Sequence, residues 1–166
     1  MTTIHDDFIE RSADIRWPDG FDPARADLFA HNAVVINAPA KRVWAKLIAA
    51  AAWPTWYSNA SDVVINHRSH QLGEDVIFNW TTFGLKIASE VAEFSPYTRL
   101  GWYGNGDQLR AYHTWMLIPR SGDSTYVVME EIGMGDGAQH LALTNPGHLH
   151  RGHDLWNISL KFACET

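Results

Sequence analysis

Only one cysteine, Cys164, occurs in 166 residues, which excludes an internal disulfide and points to a reducing, cytoplasmic setting. Basic residues are scarce as well: 13 Lys and Arg stand against 19 Asp and Glu, a formal charge of -6. A nucleic-acid partner needs a basic footprint, and so does docking on an anionic membrane, so both are disfavoured. No stretch is long and apolar enough to span a bilayer, and membrane insertion is not expected. The opening MTTIHDDFIERSADIRW carries acidic residues where a secretion signal has a basic start and an apolar run. There is no P-loop, no G-x-G-x-x-G after a strand and no G-x-S-x-G, so no cofactor is expected.

What remains is an ordinary globular composition, 46% hydrophobic and 19% charged, with an unusual eight tryptophans. Residues 1–30 read as an N-terminal extension packed on a domain at 31–166. Within it DDFIERSADI offers a helical turn or two, Trp17-Pro18-Asp19-Gly20 a turn, and Asp22-Pro23 the start of a short helix. The extension could cap a pocket, mediate a homodimer or do neither.

From His31 the pattern is regular. A strand at 33–37 leads to a helix that Asn37 would cap, with Val43, Trp44, Leu47 and Ile48 as its core stripe. That helix stops near Trp53-Pro54, and TWYSN follows as a turn or second short helix. Strands with period-2 alternation come next, at 62–66, 76–80, 85–94, 99–103, 111–119 and 126–132. Gly73, Gly84, Ser95-Pro96, the Gly104–Asp107 cluster and Ser121-Gly122-Asp123 punctuate them. A final helix begins near Pro146, with His150, Asp154, Asn157 and Lys161 on one polar stripe and apolar residues around the remainder. The expected fold is therefore α+β. A curved antiparallel sheet of six to seven strands wraps a long C-terminal helix, with two short helices after the first strand.

In this order the chain resembles the START-like superfamily of helix-grip proteins, also called SRPBCC, which includes birch-pollen-allergen-like proteins and polyketide cyclases. The resemblance is carried by INAPAKRVWAKL (36–47), AAWPTWYSN (51–59), Phe83-Gly84, VAEFSPYTRLGW (91–102), AYHTWML (111–117), VVMEE (127–131) and WNISLK (156–161). It implies a cavity between sheet and last helix, and a lipid- or polyketide-like small hydrophobic molecule as the partner.

The alternation turns Phe78, Trp80, Ile87, Ser89, Trp102, Trp115 and Met129 toward the last helix and its Trp156, with Trp56 and Tyr57 at a mouth. These rings either pack a plain core or line a pocket. A hairpin register pairing Leu117 with Val127 and Trp115 with Met129 sets His113 opposite Glu131, within hydrogen-bond reach. The pair is a structural anchor or, with His153, the acid/base group of a cyclase or dehydratase acting on a polyketide-like carbonyl compound. His148, His150 and His153 form H-x-H-x-x-H, yet on a helical wheel they diverge, and the ligand count favours no metal.

Overall fold

The structure is a computed structural model that describes residues 6–166. Seven strands form one antiparallel sheet: β1 (Leu28–Ile36), β2 (Ala60–Ile65), β3 (Ile77–Thr82), β4 (Leu85–Ser95), β5 (Arg99–Gly106), β6 (Leu109–Arg120) and β7 (Ser124–Met134). Their spatial order is β1-β7-β6-β5-β4-β3-β2. Strands β2 to β7 are thus a meander, and β1 closes against β7. Helix α1 (Asp7–Glu10) lies in the extension, α2 (Ala40–Ile48) follows β1, and α3 (Asp136–Thr144) and α4 (His148–Glu165) end the chain. Short 3-10 turns cover Pro23–Arg25 and Ala50–Thr55. No helix of the described residues is long and apolar enough to cross a membrane.

The inward face of the sheet alternates as its sequence requires. Trp102, Trp115, Val127, Met129 and Phe78 join Trp53, Tyr57, Trp156 and Leu160 in one buried cluster. Trp53 is its hub. Its ring is fully enclosed and meets Phe78, Trp80, Trp102 and Trp156 at centroid distances of 5.1–6.0 Å, and its Nε1–H donates to Leu47 O. Cys164 lies on the buried side of α4, where burial pushes its thiol up to about 11, so it packs rather than reacts.

The outward face of β6 and β7 is covered too. Ile15, Trp17 and Phe21 of the extension pack on Met116, Val128, Tyr112 and Ile132. Buried Glu130 accepts a hydrogen bond from Ser12 N–H at 2.6 Å and lies 2.7 Å from His31 Nδ1. Of the extension expected over residues 1–30, residues 1–5 lie outside the described residues.

Several local expectations are corrected. Asn37 does not cap α2; the helix begins after Pro39, and Asn37 N–H is bound instead to Glu165 Oε1. Gly104 lies inside β5 and Gly106 ends it rather than forming the turn; a Cβ at either position would press on Ile87, at 3.2 and 3.0 Å. Helix α3 was not expected, since Gly135 and Gly137 mask its apolar spacing. On α4 the buried side is narrower than the wheel suggests: Asn157 is buried, whereas Leu155, Ile158 and Phe162 are exposed.

Removing the hub should show how far the core depends on it. Trp53→Ala is expected to lower the unfolding free energy by about 3–5 kcal/mol, read from urea denaturation.

Candidate functional site

The strand register explains why part of the interior is open. Across the sheet, Leu100, Trp115 and Met129 form one inward row, Val91, Trp102, His113 and Glu131 the next, and Ser89, Gly104, Ala111 and Gly133 the third. Side-chain volume falls from row to row along β6 and β7, and β5 drops from Trp102 to Gly104. Under the last row the sheet cannot reach the helices, and a cavity of about 330 Å³ remains. Its walls include Trp80, Ile87, Trp102, Ala111, His113, Glu131, Leu149, His153 and Trp156, with Phe83, Asp107, Ala138, Leu141 and His148 also lining it.

Seven of the sequence-predicted site residues line this space: Trp80, Ile87, Trp102, His113, Glu131, His153 and Trp156. Trp56, Tyr57, Phe78, Ser89, Trp115 and Met129 are not among its lining residues. Tyr57 instead stacks on Trp156 at 4.7 Å, and Ser89 Oγ accepts the Trp80 Nε1–H. The lining runs from α3 and the first turns of α4 inward, not from Trp56 and Tyr57. Missed by sequence reading were Gly104, Ala111 and Gly133, whose signal was the taper itself, and α3, whose signal was weak.

Three polar side chains meet at the inner end. His113 pairs with Glu131 in the β6–β7 register, alongside Trp115 with Met129 and Leu117 with Val127. His113 Nδ1 lies 2.8 Å and His153 Nε2 3.1 Å from the same oxygen, Glu131 Oε2. Both imidazoles donate an N–H to this carboxylate. Their other nitrogens, His113 Nε2 and His153 Nδ1, are buried with no hydrogen-bond partner among the described residues. A second proton on either ring would therefore be a buried donor without an acceptor, which is costly. His113 also stacks on Trp102 at 4.6 Å, which fixes its plane.

The electrostatics follow. Burial pushes the His113 pKa down to about 4 despite the nearby carboxylate, so the ring is neutral at pH 7. Burial pushes Glu131 upward, but the hydrogen bonds from His113 and His153 outweigh it and bring Glu131 down to about 2. The result is an ionised carboxylate facing two imidazoles at the end of an apolar space.

The donor set also invites a metal: one atom from each of His113, Glu131 and His153 lies within 4.8 Å of the others. Metal-binding histidines normally give their remote N–H to an acceptor. Here both remote nitrogens lack one, so the hydrogen-bonded triad fits these residues better than a metal centre does. The H-x-H-x-x-H string does not converge either. His150 Nδ1 is 2.8 Å from Asp7 Oδ1, whereas His148 packs on Phe83 at 5.0 Å.

A curved antiparallel sheet gripping one long helix, with a cavity between them, defines a helix-grip protein. The chain has the START/SRPBCC helix-grip fold. No protein-family model and no curated protein matches it in sequence. Among solved structures it is similar to the hypothetical protein jhp0584 from Helicobacter pylori, with 28% identity, a TM-score of 0.84, and coverage of 93% of this chain and 98% of that one. A START superfamily protein from Mycobacterium smegmatis matches at 13% identity and a TM-score of 0.65, over 82% of this chain and 97% of the other. The Zhui aromatase/cyclase from Streptomyces sp. R1128 matches at 13% identity and 0.65, over 82% and 93%. The last two likenesses concern the fold alone.

The triad predicts a specific acid response. The His113 pKa is lower folded than unfolded, so stability is full above about 6.5 and falls as pH drops toward 4. Glu131 is likewise depressed and extends the loss from about 4.5 toward 2. Nitrogen NMR should show His113 neutral and protonated on Nδ1 at pH 6, and His113→Phe should flatten the upper part of the stability–pH curve.

Proposed function

We propose that the protein binds a small, largely apolar molecule in the cavity beneath Gly104, Ala111 and Gly133. The observation that carries this reading is the space itself. About 330 Å³ is left open beside aromatic walls, in an interior where side chains otherwise pack to crystal-like density. Such a volume is of the order that small-molecule sites use. Lipid- or polyketide-like compounds of modest size are the ligand class that the fold likeness brings forward.

A cyclase or dehydratase using His113 and Glu131, with His153, is the alternative. It needs a basic nitrogen that meets the substrate within hydrogen-bond reach. The bare nitrogens, His113 Nε2 and His153 Nδ1, are enclosed, and the nitrogens that reach Glu131 already hold their protons there. This arrangement supports holding a ligand over transferring its protons.

Ala111→Phe places a ring in the open space without touching the triad. The neutral fluorophore N-phenyl-1-naphthylamine is expected to brighten and shift to the blue with the unaltered chain. With Ala111→Phe its affinity should fall about tenfold or more while the thermal midpoint holds. Equal binding by both proteins would contradict the proposal.

A further inference from the structure

The geometry points to a ligand that carries a protonated amine on its apolar body, with the ammonium set against Glu131. This inference rests on the binding reading above and adds the charge of what is bound. Two carboxylates, Glu131 and Asp107, line the cavity, and neither Lys nor Arg is among its described lining residues. Arg151 lines a separate shallow depression with Phe83 and His148, and its guanidinium is tied to Asn145 Oδ1 at 2.7 Å.

Within the triad only one oxygen is left for a guest. Glu131 Oε2 takes both imidazole N–H groups, while Oε1 has no hydrogen-bond partner among the described residues and is not enclosed. The side chain keeps 19% of its surface exposed. The remote nitrogen of each ring has no acceptor for a further proton, and burial holds His113 neutral beside the carboxylate. An ionised group in an apolar enclosure favours a partner of opposite charge and rejects one of like charge.

The walls suit the same guest. Trp80, Trp102 and Trp156 all line the cavity, and indole faces attract a desolvated ammonium. A fatty acid or other carboxylate would instead bring a second negative charge to Glu131. The N-terminal turn of α4 adjoins the cavity and would favour an anion. Its first N–H, that of His148, is already bound to Asn145 O, and a partial dipole charge is smaller than the full charge on Glu131.

Three probes with one body separate the possibilities: 1-naphthylmethylamine, 1-naphthylmethanol and 1-naphthoate, titrated calorimetrically into the full chain near neutral pH. The amine is expected to bind about tenfold or more tightly than the alcohol, and the naphthoate more weakly than both. Glu131→Gln retains a carbonyl oxygen for the imidazole N–H groups and should bring amine and alcohol to equal affinity. Should that variant fail to fold, the ranking on the unaltered chain decides alone. Naphthoate matching or exceeding the amine overturns the inference, as does an amine preference that survives Glu131→Gln. If the alcohol binds and the amine gains nothing, this inference fails while the cavity reading stands. If none of the three binds, both fall. A Co(II) absorption band that requires Glu131 would overturn it in favour of a metal site.

Discussion

Two adjacent carboxylates on β7 constrain this structure more than any other pair of residues. Glu131 points inward and accepts from His113 and His153. Glu130 points outward beneath the extension, accepts from Ser12 N–H and lies against His31. A carboxylate removed from water is tolerable only with such partners. Sliding β7 by one residue would swap the two faces and strand both charges. The same register fixes which inward side chains share a row, so it also decides where the interior is filled and where it is open.

The cavity is thus a consequence of sequence order rather than of one special residue. Side chains shrink from Trp115 through His113 to Ala111 along β6 and from Met129 through Glu131 to Gly133 along β7, while β5 drops at once from Trp102 to Gly104. At the filled end the aromatic cluster around Trp53 packs the sheet against α4. At the other end α3 and the first turns of α4 cover the space without filling it. The polar triad lies at the boundary, where a ligand would meet charge after passing apolar walls.

Much of this was legible before any coordinates. Period-2 alternation located β2 to β7, the first strand was expected at 33–37 and starts earlier, at Leu28, and the β6–β7 turn was enough to set His113 opposite Glu131. Helical phase set His150 apart from His153, but His148 lines the same cavity as His153. The cavity's position was not legible, because Trp115, Phe78 and Tyr57 have the same character as Trp102 and Trp80 yet lie in the filled half. Glycines in β5 read as turns, since a missing side chain and a flexible backbone leave the same letter in a sequence. Helix α3 escaped because Gly135 and Gly137 interrupt its start and Ala138 is its only buried residue, so it carries little apolar periodicity.

The most direct test of the account is a crystal structure of the untreated protein. The account predicts open space or bound density between Trp80, Trp102, Ala111 and the start of α4. Both imidazoles should then lie within hydrogen-bond distance of one Glu131 oxygen. Side chains of α3 and α4 collapsed onto Gly104, Ala111 and Gly133, leaving no space beside Glu131, would contradict it.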